Sequence, residues 1–115
     1  MRILIIEDEP MIALDLQDLL EDAGFDVAGV AGKLETALAL IETKKFDAAV
    51  IDANLGGISS SPAAAALADR SVPFIVLSGY SFKQHEAAFP KAPFIQKPCR
   101  PDQLINALKG MRLQQ

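Results

Sequence analysis

Apolar residues along this chain alternate between short continuous runs and helical spacing. Arg2-Ile3-Leu4-Ile5-Ile6 is a continuous run, the pattern of a strand covered on both faces, and it ends in Glu7-Asp8-Glu9. Pro10 suits a first helical turn, and Ile12, Leu16, Leu19, Leu20 and Ala23 then recur on one face of a helix that Gly24 stops. A second strand is expected over Val27 to Val30. Leu34, Ala37, Leu38 and Ile41 mark a second helix, with Lys44-Lys45 at its carboxyl end, where cations are favoured.

Ala48-Ala49-Val50-Ile51 reads as the third strand and runs into Asp52. Gly56-Gly57 is a turn signal, Ser61-Pro62 an N-cap and first helical position, and Ala63 to Asp69 an Ala-rich helix. Strand four, Phe74-Ile75-Val76-Leu77, meets Ser78-Gly79, and residues 81 to 92 then lack a regular period. Strand five, Phe94-Ile95-Gln96, stops at Lys97-Pro98. The last helix opens at Pro101 with Leu104, Ala107, Leu108 and Met111 on its buried face.

Five strands alternating with helices imply right-handed crossovers and an α/β fold, a doubly wound parallel sheet with helices on both faces. The flavodoxin-like strand order 2-1-3-4-5 is expected, with its functional crevice at the carboxyl ends of the strands.

Composition narrows the class. The chain has 115 residues, half of them hydrophobic, which suits a single domain over 1–115 able to bury a core without disulfides. The single cysteine, Cys99, has no partner for an internal disulfide, and the amino end lacks the pattern of a signal peptide; a cytoplasmic protein is expected. No apolar run is long enough for a membrane helix, and a net charge of −4 offers no basic stripe for nucleic acid. Membrane and nucleic-acid partners are therefore not expected.

The residues that end the strands carry the chemistry: Glu7 and Asp8, Asp52, Ser78 and Lys97. Carboxylates brought together raise one another's pKa unless a cation offsets them, and Mg²⁺, a hard ion that accepts carboxylates together with phosphate oxygens, fits such a group. Lys97 contributes a point charge and Ser78 a hydroxyl, both suited to the oxygens of a transferring phosphoryl group. Asp52 is best placed to act as nucleophile and form an aspartyl phosphate.

Four segments, Ile3-Leu4-Ile5-Ile6-Glu7-Asp8-Glu9-Pro10, Val50-Ile51-Asp52-Ala53-Asn54-Leu55, Val76-Leu77-Ser78-Gly79 and Ile95-Gln96-Lys97-Pro98, stand in this order across nearly the whole chain. Together they resemble the receiver domain of two-component response regulators. The resemblance implies that Asp52 is the phosphoacceptor, that Asp8 binds Mg²⁺ directly and Glu7 either directly or through water, and that Asp52 and the backbone carbonyl of Asn54 are further ligands. It likewise implies that Ser78 is the switch hydroxyl, Lys97 the lysine beside the phosphoryl group, Phe94 the aromatic switch and Lys97-Pro98 a cis peptide. Implied partners are a sensor histidine kinase or phosphotransfer protein and a downstream protein that the sequence does not identify. Whether the last helix supports a homodimer stays open.

Departures from the family are Ser rather than the commoner Thr at position 78 and the irregular stretch 81 to 92. Pro73-Phe74 and Ser78-Gly79-Tyr80 are similar to a stand-alone subclass whose fourth strand ends in a Phe-Ala-Thr-Gly run followed by Tyr, although Val76-Leu77 stand where that run begins. With the last helix reaching almost to Gln115, no effector domain is expected, so output would pass through contact with another protein.

The same residues also have plainer readings. Acids near a helix start are commonly dipole partners, an Asp ending a strand is often a turn residue, and Lys97 and Ser78 in isolation read as an edge charge and a turn. Their joint occurrence favours the phosphoacceptor reading. His85 reads as an exposed loop residue, Tyr80 has no assigned role, and Cys99 packs passively. Two further readings are a Mg²⁺-dependent phosphohydrolase with an aspartyl-phosphate intermediate, against which Asn54 stands where such enzymes carry a second Asp, and a degenerate receiver that binds partners without phosphorylation.

Overall fold

A computed structural model describes residues 1–79, 84, 87, 89 and 92–113. Strands β1 (Arg2–Ile6), β2 (Asp26–Ala31), β3 (Ala48–Asp52), β6 (Phe74–Ser78) and β7 (Phe94–Gln96) form one parallel sheet in the order β2-β1-β3-β6-β7. This is the expected 2-1-3-4-5 order. The two extra strands, β4 (Asn54–Leu55) and β5 (Ile58–Ser59), make a separate antiparallel hairpin. Gly56 and Gly57 form its turn with φ of 61° and 91°, the left-handed pair that a two-residue hairpin requires.

The continuous apolar strands split their side chains between two cores, because successive residues point to opposite faces. Ile3, Ile5, Ala48, Val50, Ile75 and Leu77 pack with α1 (Pro10–Asp22) and with α4 (Pro101–Leu113) through Leu16, Leu20, Leu104 and Leu108. On the other face Leu4, Ile6, Ala49, Ile51 and Val76 meet α2 (Leu34–Thr43) and α3 (Ser61–Asp69) through Ala37, Ile41, Ala63, Ala64 and Leu67. Both faces are covered, so the strands carry no polar alternation.

Helix α1 ends as its glycine indicates. Gly24 has φ of 91°, its N–H donates to the Glu21 carbonyl at 3.0 Å, and the Phe25 N–H donates to Leu20 O at 2.9 Å. These two bonds form a Schellman cap, with Phe25 and Leu20 in the same core cluster.

Two sequence expectations shift. The buried stripe of α1 is Ala13, Leu16 and Leu20, whereas Ile12 is 38% exposed. Ile12 lies instead along an open groove with Leu19, Pro98, Cys99 and Pro101, where α1 faces the segment leading into α4. The N-cap of α3 is Ser60, one residue before the expected Ser61, because the Ser60 carbonyl already accepts the N–H groups of Ala63 and Ala64. The expectations for Tyr80, His85 and most of the irregular stretch 81 to 92 lie outside the described residues.

Candidate functional site

The sheet brings the expected site residues to one edge. Glu7 follows β1 and is held by its N–H to the Ala31 carbonyl at 2.9 Å. Asp52 is the last residue of β3, beside Leu77 in the sheet register, and Ser78 is the next residue of β6. Lys97 follows β7, and its N–H donates to the Ser78 carbonyl at 2.7 Å, tying the ends of β6 and β7 together. Ser78 is fully buried. Phe94, beside Val76 in register, is half-buried and packs against the α2/α3 core. The expected cis peptide is present at Lys97-Pro98.

Glu7, Asp8 and Asp52 each direct a carboxylate oxygen into one cluster, with these oxygens within 4.8 Å of one another. Lys97 closes it. Its Nζ lies 2.9 Å from Asp52 Oδ2, while the Asn54 N–H donates to Asp52 Oδ1 at 3.1 Å. Both oxygens of Asp52 are thereby held by protein donors.

Burial sets the electrostatics. Glu7 is only 2% exposed; its Oε1 accepts the Glu9 N–H at 3.2 Å, and its buried Oε2 has no hydrogen-bond partner among the described residues. Loss of solvation, and then the Asp52 carboxylate beside it, push the Glu7 carboxyl up to about 7 against weaker opposition from the Glu9 N–H and Lys97. Burial also disfavours the Lys97 ammonium, but its bond to Asp52 and the charges of Asp52, Glu7 and Asp8 outweigh this, and its pKa lies above the usual lysine value. Cys99, half-buried near Lys97, has a thiol raised by burial and is not in the acidic cluster.

Such a set of hard oxygens with one orphaned buried carboxylate oxygen fits a divalent cation in the magnesium class. Three carboxylates facing one lysine leave negative charge that a cation would offset.

Residues 3–109 match the family model described as the response regulator receiver domain. The chain belongs to that family. Among relatives of this receiver domain, the phyllosphere-induced regulator PhyR of Methylorubrum extorquens is 37% identical over 104 residues, which span 87% of the chain and 39% of that protein. The transcriptional regulatory protein PdtaR of Mycobacterium tuberculosis is 33% identical over 81 residues, 70% of the chain and 40% of the relative. The chain therefore spans about two fifths of the length of these curated relatives.

In solved structures, SdrG from Sphingomonas melonis Fr1 is 40% identical with a TM-score of 0.81, covering 96% of this chain and 95% of that one. The receiver domain of PhyR from Erythrobacter litoralis is 27% identical with a TM-score of 0.85, over 97% of this chain and 89% of that one. Receiver domains are signalling modules of two-component systems, and the family binds Mg²⁺ in an acidic pocket such as the one formed here by Glu7, Asp8 and Asp52.

One residue of the site region escaped the sequence pattern. Ser60 is fully buried, and its hydroxyl donates to the Asp52 carbonyl at 2.6 Å. The three consecutive serines before Pro62 suggest only a helix cap, and nothing in their spacing points back to Asp52.

Proposed function

We propose that this receiver domain takes a phosphoryl group from the phosphohistidine of a sensor kinase or phosphotransfer protein onto Asp52 and signals by binding another protein. The observation that carries this reading is the buried Asp52 carboxylate, held 2.9 Å from the Lys97 ammonium beside two further carboxylates. A carboxylate so placed is desolvated, oriented and next to a fixed positive charge, which favours attack at phosphorus.

An oxygen of Asp52 attacks phosphorus as the phosphorus–nitrogen bond of phosphohistidine breaks. The imidazole leaves with the bonding electron pair and takes up a proton from solvent. Lys97 then faces the negative oxygens gathered on the new acyl phosphate. Glu7, Asp8, Asp52 and the Asn54 backbone carbonyl would hold Mg²⁺, which when bound supplies charge neutralisation for the phosphoryl oxygens. Later attack by water on phosphorus releases inorganic phosphate and restores the carboxylate.

The buried Ser78 and the half-buried Phe94 provide the readout. The Ser78 hydroxyl turns to donate to a phosphoryl oxygen, the end of β6 moves inward, and Phe94 changes rotamer, reshaping the surface of β6, β7 and α4. A structural relative from Bartonella quintana carries the name anti-anti-sigma factor PhyR, and output through protein contact is the part of that description we extend to this chain. The reaction belongs to the cytoplasm, where sensor kinases present their phosphohistidines.

Incubation with Mg²⁺ and a small phosphodonor such as phosphoramidate, followed by intact mass measurement, tests the transfer. A single phosphoryl adduct that disappears in Asp52→Asn is expected. No adduct, or one that persists in Asp52→Asn, overturns the reading.

A further inference from the structure

Ser60 stands at the N-cap of α3, where a serine hydroxyl ordinarily accepts a hydrogen bond from a first-turn N–H. It makes no such bond here. The backbone carbonyl of Ser60 receives Ala63 and Ala64, and the hydroxyl is instead committed as a donor to the carbonyl of Asp52, 2.6 Å away and eight residues back. At the same place the Ser60 N–H donates to the Ala53 carbonyl at 3.0 Å. Two consecutive carbonyls leaving β3 are thus held by one residue.

Between these anchors the chain runs out and back as the β4–β5 hairpin. The Gly57 N–H donates to Asn54 Oδ1 at 2.7 Å, and the Asn54 N–H donates to Asp52 Oδ1 at 3.1 Å. The hairpin turn also lies against the acidic cluster: a β-carbon placed on Gly56 would meet Asp8 Oδ2 at 3.8 Å. The peptide after Asp52, the Asn54 backbone and the Asp52 side chain therefore share one hydrogen-bonded frame, and Ser60 is its far anchor.

We infer that Ser60 is a positioning residue for Asp52: its hydroxyl fixes the strand-end carbonyl, and with it the orientation of the Asp52 carboxylate and the Asn54 backbone. This rests on the reading of Asp52 as phosphoacceptor. Residues that orient metal ligands from behind influence both affinity and rate, typically by one to two orders of magnitude. Ser60→Ala leaves the Asp52 carbonyl without its hydroxyl donor and lets the loop adopt other orientations, while removing no side-chain cap from α3.

The test compares Ser60→Ala, Ser60→Thr and Ala65→Gly, the last weakening α3 at an exposed position away from the cluster. Mg²⁺ affinity is read by calorimetry, phosphoryl uptake from phosphoramidate by intact mass over time, and fold by melting temperature. Ser60→Ala is expected to lower Mg²⁺ affinity and uptake rate by about ten-fold. Ala65→Gly should lower the melting temperature yet keep wild-type affinity and rate, and Ser60→Thr, which retains the hydroxyl, should recover most of the loss. Wild-type affinity and rate in Ser60→Ala, or an equal fall in Ala65→Gly, overturns the inference while leaving Asp52 as phosphoacceptor intact. Failure of the wild-type chain itself to take up phosphoryl overturns both.

Discussion

The two ends of the sheet carry opposite charge in very different settings. At the carboxyl end, Glu7, Asp52 and Ser78 are buried around Lys97. At the amino end, Arg2, Lys44, Lys45 and Arg70, four of the 11 basic residues of the chain, surround an open pocket of about 360 Å³ floored by Ile41, Phe46 and Val72. There the Arg2 N–H donates to Asp47 Oδ2 at 2.7 Å and Arg2 Nη1 to the Lys45 carbonyl at 2.8 Å, both in exposed positions. Lys44 and Arg70 are the C-cap residues of α2 and α3, where cations complement the helix dipoles.

The difference teaches that the number of charges at a sheet end says little about its chemistry. Water screens the basic end, so each cation there contributes modestly and independently. At the acidic end burial removes that screening; Glu7 is pushed up to about 7, and the fate of each group depends on its neighbours.

The largest contrast should come from paired lysine substitutions. Lys97→Met removes the cation beside Asp52 and is expected to slow phosphoryl uptake by about 100-fold or more, as loss of one electrostatic stabiliser does elsewhere. Lys45→Met at the opposite end should leave the rate unchanged. Time-resolved intact mass checks both, and equal effects would erase the distinction between the two ends.

Next in size is a pH effect confined to the acidic end. Folding raises the Glu7 pKa from 4.5 to about 7, so without metal the folded chain retains a proton that the unfolded chain has released. The stability this confers is complete below 4.5 and is lost as pH rises through 7. Melting curves of the metal-free chain should therefore show a decline across this interval that Glu7→Gln lacks. Mg²⁺ competes with the same proton, so its affinity, followed by calorimetry, should rise as pH increases through 7.

Smaller again is Gly56→Ala in the hairpin. With φ of 61° the added β-carbon meets a strained backbone, costing about 1 kcal/mol in denaturant unfolding, and it approaches Asp8 Oδ2 as well. Mg²⁺ affinity should fall with it. The smallest effects belong to Lys44→Ala and Arg70→Ala, each expected within about 0.5 kcal/mol of wild-type stability and without influence on phosphoryl uptake.

Much of this arrangement was legible in the chain. The strand runs, the stop at Gly24, the turn at Gly56-Gly57 and the strand-end positions of Glu7, Asp8, Asp52, Ser78 and Lys97 follow from local pattern, because strands buried on both faces and left-handed turns each demand particular residue types. The burial of Ala13 rather than Ile12 was not. Helical spacing identifies an apolar stripe, but its rotation depends on what α4 and the Lys97-Pro98 segment cover.

By itself the sequence determined the order of elements, the doubly wound sheet and the set of groups delivered to its carboxyl edge, since these depend on periodicity and on right-handed crossovers. Tertiary structure decided which oxygen meets which partner: Asp52 Oδ2 with Lys97 Nζ, the Asp52 carbonyl with the Ser60 hydroxyl, and Glu7 Oε2 with none among the described residues. Hydrogen bonds and pKa values depend on distances of a few ångströms and on exclusion of water, and those arise only when segments far apart in the chain have packed together.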